Sequence, residues 1–102
     1  MVEAPKPVQT PVAAPTQLTV NAEAEAKAFI YHHESGNRID AVNKSSGACS
    51  LGQALPCSKL ANVCPNWRTD YACVDAWFEN YNKQRYGSWQ NAKAWWITHK
   101  WW

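Results

Sequence analysis

At 102 residues and a formal net charge of +2, the chain has room for one small domain and too little positive charge for a nucleic-acid binder. No apolar run approaches the roughly 20 residues of a membrane-spanning helix, so no membrane insertion is expected. A domain this small gains limited stability from its core alone; seven Trp, four Tyr and two Phe can thicken the core, and four Cys can staple it.

Residues 1–20 contain Pro5, Pro7, Pro11 and Pro15, four of the six prolines. Proline at that density removes backbone donors and favours extended, solvated chain, so this stretch is expected to be a disordered linker, with the folded domain spanning 21–102. Met1-Val2-Glu3-Ala4-Pro5 has neither the basic start nor the apolar stretch of a signal peptide. Export would therefore imply a leader already removed.

The first helix is expected to begin at Asn21 as N-cap, with Glu23 in its first turn, where the helix dipole favours a carboxylate. Ala22, Ala26, Phe29, Ile30 and His33 recur on one stripe at helical spacing, and Gly36 supplies a stop. Glu34 then falls in the last turn, on the edge of the apolar stripe. The segment 36–50, rich in Gly, Ser, Asn and Asp, reads as a loop. Short helical turns are expected at 51–55 and 58–63, and Cys64-Pro65-Asn66 breaks the chain again. A longer helix follows, capped by Thr69 or Asp70, with Tyr71, Val74, Phe78, Tyr81 and Arg85 on its stripe until Gly87. Ser88 can cap a last helix over 89–98 that buries Ala92, Trp95 and Trp96. No run alternates like a strand for more than about three residues, so the fold is expected to be an all-α cluster of helices. Trp77, Trp89, Trp95 and Trp96 sit at helical spacing and read as core. Trp67, Trp101 and Trp102 lie outside clear periodicity and read as exposable.

Cys49, Cys57, Cys64 and Cys73 fall within 25 consecutive residues, with no C-x-x-C pair and no common zinc spacing. Two disulfides are expected, and with them an oxidising, extracellular compartment; free thiols or zinc are the alternatives. Three pairings are possible. The sequential one, Cys49–Cys57 and Cys64–Cys73, is favoured because short loops between helices most need pinning, each closure adding roughly 2–3 kcal/mol in the chain-entropy model. His32 and His33 are adjacent on a helix and point about 100° apart, so no metal site is expected of them.

Cleavage of a glycosidic bond needs a carboxyl group that is protonated near neutral pH and then reverses its role. Partial burial at the apolar edge of a helix can raise a carboxyl pKa into that range, which makes Glu34 the candidate. The segments around it carry more information. Glu34-Ser35-Gly36-Asn37-Arg38, Ala41-Val42-Asn43 and Ser46-Gly47-Ala48-Cys49-Ser50-Leu51-Gly52-Gln53 resemble the signature of SLT-type lytic transglycosylase domains of the lysozyme-like superfamily, relatives of goose-type lysozymes and resuscitation-promoting factors. Arg85-Tyr86-Gly87-Ser88-Trp89, with Ala92, Ala94, Trp95 and Trp96, resembles the closing segment of small wall-lytic domains. The likeness departs at Ser50, where the pattern has Gly, at the four cysteines, and in lacking an evident Ala-Tyr-Asn segment.

The resemblance implies a small lysozyme-like, secreted or wall-associated bacterial domain acting on peptidoglycan glycan strands as a monomer without cofactor. It implies Glu34 as the single catalytic acid and base, and Gln53, Ser35 and Tyr86 as candidate substrate contacts. Gln53 has a structural role in holding the loop as its alternative. A hydrolytic muramidase would instead need a water placed by a second carboxylate, for which Asp40, Asp70 and Asp75 are available. A wall-binding or adhesion module without turnover is a further alternative, and a membrane-active Trp-rich cationic protein is a third, disfavoured by the small net charge and the cysteine pattern.

Overall fold

The computed structural model describes residues 17–102. It is all-α: α1 spans Gln17–Ser35, α2 Cys57–Ala61, α3 Tyr71–Arg85 and α4 Trp89–His99. The proline-rich residues 1–16, and with them most of the expected linker, lie outside the described residues. α1 begins four residues before the expected Asn21, because nothing after Pro15 blocks a helix and Gln17 and Leu18 favour one. Glu23 is therefore not in the first turn. Its carboxylate instead accepts the backbone N–H groups of Trp89 and Gln90, at 2.9 Å each, and caps the start of α4.

The remaining helix ends follow their local chemistry. α1 stops where Gly36 and Asn37 both turn left-handed, their N–H groups bonding back to the carbonyls of His32 and Tyr31. Asp70 caps α3 by accepting from the Cys73 N–H, and Ser88 caps α4 by accepting from the Asn91 N–H. The expected helical turn at 51–55 is absent. That stretch is a tight turn in which Cys49 pairs with both Val42 and Ala54 in isolated antiparallel bridges, with Ser50 and Gln53 at positive φ. Disulfides join Cys49 to Cys57 and Cys64 to Cys73. The first ties the loop after α1 to α2, and the second ties the chain after α2 to α3.

α1 packs along α4, and the core gathers Ile30, Leu51, Leu60, Val74, Phe78, Tyr86 and Trp89. Tyr31 is also buried, off the α1 stripe, because that side of α1 faces Asp75 of α3. Tyr71, expected on the α3 stripe, is exposed, whereas Asn82 is buried. The tryptophans are sorted differently from the sequence expectation. Trp67 is 7% exposed, and Trp102 is 0% exposed although no helical period leads to it. Trp77, Trp95 and Trp96 are only half-buried.

Trp102 stands among the rings of Phe78, Tyr81, Tyr86 and Trp89, at centroid distances of 5.0–6.1 Å. Its indole N–H donates to the Gly52 carbonyl at 3.0 Å. A Cβ at position 52 would stand 2.6 Å from the Phe78 ring and 2.8 Å from that of Trp102. Gly52→Ala is therefore expected to cost about 1–3 kcal/mol, read as a lower urea midpoint. Ser50 lies in the left-handed region with φ 70° and buries a hydroxyl that has no hydrogen-bond partner among the described residues. Ser50→Gly relieves both, against the extra chain entropy of glycine, and is expected to raise stability by about 1 kcal/mol in the same assay.

Candidate active site

Glu34 sits in the last turn of α1, half-buried, where Trp96 of α4 crosses it. The Trp96 indole N–H reaches the Oε2 atom at 3.5 Å, a long contact. Among the described residues no cation pairs with this carboxyl. Burial holds its pKa above the ordinary 4.5, and the Trp96 contact opposes that shift. The result is a carboxyl group biased toward its protonated form and poised at a surface, the requirement for a general acid.

Tyr86, at the end of α3, is buried and lies within electrostatic reach of Glu34. Burial pushes its phenol up to about 12; Glu34 adds to that shift and the neighbouring Arg85 opposes it. The neighbouring Arg85 guanidinium hydrogen-bonds the Tyr86 hydroxyl, which gives this buried phenol a polar partner inside the protein.

Ser35 and Gln53 carry the loop that flanks this region. The Ser35 hydroxyl lies 2.8 Å from the Leu51 carbonyl and 3.1 Å from that of Tyr31, and accepts from the Arg38 N–H. It fastens the 36–53 loop to the end of α1. The Gln53 amide nitrogen donates to the carbonyls of Ser50 and Ala41, at 3.0 and 3.3 Å, and holds the same loop closed. Both side chains thus have work inside the loop whatever else they touch.

The three other candidate carboxylates are placed differently. Asp70 caps α3. Asp75 receives the Lys27 ammonium at 2.8 Å and the Tyr31 hydroxyl at 2.8 Å. Asp40 is exposed, with Arg38 3.6 Å away. A groove of ≈ 690 Å³ is lined by Glu23, Asp75, Glu79, Asn82, Lys83 and Trp89 among others, and Glu34 is not one of its walls. Its carboxylates are already engaged. Lys27 bridges Asp75 and Glu79, the Trp89 indole donates to Glu79, and Glu23 caps α4. The chemistry of Glu34, rather than cavity size, therefore locates the candidate site.

Trp96 and His33 are the members of this site that sequence reasoning placed elsewhere, Trp96 in the core and His33 on the buried stripe. His33 is exposed and packs between Phe29 and Trp96, at centroid distances of 4.2 and 4.7 Å. The Glu34–Trp96 contact spans 62 residues, and no local pattern announces it. Among the described residues no cluster of three or more His, Cys, Asp or Glu side chains is arranged to hold a metal. No protein-family model, curated protein or solved structure matches the chain.

The sign of the Glu34 shift makes a stability test. Below 4.5 the carboxyl is protonated in folded and unfolded chain alike and contributes nothing to the balance. As pH rises through the elevated folded pKa, the unfolded chain releases its proton more readily and the folded state loses stability. The stability gap between Glu34→Gln and the parent should therefore be small at pH 4 and grow in favour of the variant towards pH 7, as measured by urea midpoints across that range.

Proposed function

We propose that this chain is a secreted peptidoglycan-cleaving domain acting as a lytic transglycosylase. The observation that carries the proposal is the Glu34 carboxyl, half-buried, with no cation paired to it among the described residues, and held toward its protonated form by that burial. The resemblance of the segments around Glu34 and Tyr86 to SLT-type domains supplies the substrate class. The two disulfides fit an oxidising compartment outside the cell, and no described helix is long and apolar enough to cross a membrane.

In this mechanism Glu34 donates its proton to the oxygen joining N-acetylmuramic acid to N-acetylglucosamine, and that bond breaks as the glucosamine leaves with a new 4-hydroxyl. The resulting carboxylate then takes the proton from the muramic 6-hydroxyl, whose oxygen bonds to C1 and closes a 1,6-anhydro ring. Glu34 ends protonated, ready for the next turnover. No water is consumed, so no second carboxylate is needed to place one. The engagement of Asp70 in a cap and of Asp75 in an ion pair supports this route over hydrolysis.

Glu34→Gln should keep the fold and lose activity on purified wall by 10⁴-fold or roughly so, the upper end of general acid–base contributions, since one group serves both steps. Asp40→Asn should change the rate little. Products identified by mass spectrometry should carry anhydromuramic ends. Reducing ends together with a large Asp40→Asn loss would mark a hydrolase. Near-normal turnover by Glu34→Gln would remove Glu34 from the chemistry, and wall binding without release would make the domain an adhesion module.

A further inference from the structure

Where α1 and α4 run side by side, their facing side chains form a strip. Phe29 and His33 are one turn apart on α1, and Trp96 of α4 meets both, edge-on to Phe29 at 5.5 Å and tilted against His33 at 4.7 Å. An ammonium stands over each side of this aromatic surface: Lys93 Nζ lies 4.9 Å from the Phe29 ring centroid and Lys100 Nζ lies 5.3 Å from that of Trp96. Among the described residues neither lysine has a carboxylate partner. Beyond Lys93 the strip runs into a shallow groove of ≈ 250 Å³ walled by Ala22, Ala26, Ala94 and the exposed Ile97, with Glu25 as its one acidic lining group. At its other side, Trp96 reaches Glu34.

Lys100 occupies the left-handed cap of α4, with φ 65°, where glycine would sit without strain. Its side chain lies over Trp96, at a position whose backbone conformation favours glycine. Two unpaired cations flanking ring faces match a ligand with apolar sugar or peptide surface and carboxylates set beside it.

We propose, resting on the assignment of Glu34 above, that the strip formed by Lys93, Phe29, His33, Trp96 and Lys100 seats the carboxylate-bearing lactyl-peptide substituent of the muramyl residue. The muramyl ring is the one whose 6-hydroxyl must meet Glu34. Its 3-oxygen carries the lactyl group on the side of the ring away from C6, so the substituent points away from the carboxyl, along the strip that continues from Trp96 past Phe29 to Lys93.

The test uses the Glu34→Gln protein, which holds ligand without turnover. It is titrated by calorimetry with a glucosamine–muramyl disaccharide tetrapeptide and with chitobiose, which lacks the lactyl-peptide. The disaccharide-peptide should bind about tenfold tighter, with the preference shrinking as salt is raised. Adding Lys93→Gln and Lys100→Gly should remove most of that preference while leaving chitobiose affinity unchanged. Lys100→Gly alone should not lower the urea midpoint, so lost binding cannot be ascribed to lost folding. Three outcomes overturn the proposal: a preference untouched by the double substitution, an equal weakening of both ligands, or equally tight binding of a short polyphosphate, which would make the strip a general polyanion surface. Turnover on wall by the otherwise unaltered domain reports separately on the Glu34 assignment. If Glu34→Gln abolishes that turnover and the lysine substitutions leave the preference intact, the strip fails and the catalyst stands.

Discussion

Trp102 fills the space between the 51–53 turn, α3 and the start of α4, and it fits there because position 52 has no side chain. The Gly52 carbonyl takes the indole proton, and the Phe78 ring closes the other side of the same small gap. The turn is therefore held from inside by the core, from α1 by the Ser35 hydroxyl, and from α2 by the Cys49–Cys57 bridge. Residues 36–53 contain no helix, yet they are pinned at these separate points. A loop so anchored can flank a reacting group with little movement, which a small domain with few helices would otherwise struggle to provide.

Two buried electrostatic arrangements divide the molecule. In one, Lys27 is drawn between Asp75 and Glu79, and Tyr31 and Trp89 donate to the same carboxylates. Burial alone would lower the Lys27 pKa, but its carboxylate partners outweigh that and raise it. Every charge there has an answer. In the other, Glu34 is half-buried with an indole contact and, among the described residues, no cation paired to it. A paired carboxylate is structural. A half-buried one without a paired cation is biased toward its protonated form, and its charge costs stability at neutral pH.

Much of this was legible in local chemistry. Asp70, Ser88 and Gly36 marked helix ends because capping and left-handed turns are decided within a few residues. The cysteine pairing was legible because short separations leave few ways to close a loop. Glu34 at the edge of a helical stripe was legible for the same reason. What escaped depended on distant partners. Trp102 has no period leading to it, and its burial is set by Phe78 and Gly52, far back in the chain. Tyr31 is buried because α1 is covered on a second side by α3, which a single stripe does not express. The 51–55 segment looked helical by composition, but the bridges through Cys49 impose a turn. Ser50 stands where the motif has glycine and still takes the glycine conformation, so backbone demand prevailed over residue preference.

The Glu23 carboxylate grips the first two N–H groups of α4 from a point on α1 about three helical turns before Glu34. Because it binds both oxygens to successive amides, it sets how far α4 can slide along α1 as well as how close the two lie. Trp96 is two turns further along α4, so its height relative to Glu34 is measured from that far clasp. The pair of helices behaves like calipers: the jaw opening at the acid is governed at the pivot, and axial play there would be transmitted to the indole contact almost undiminished.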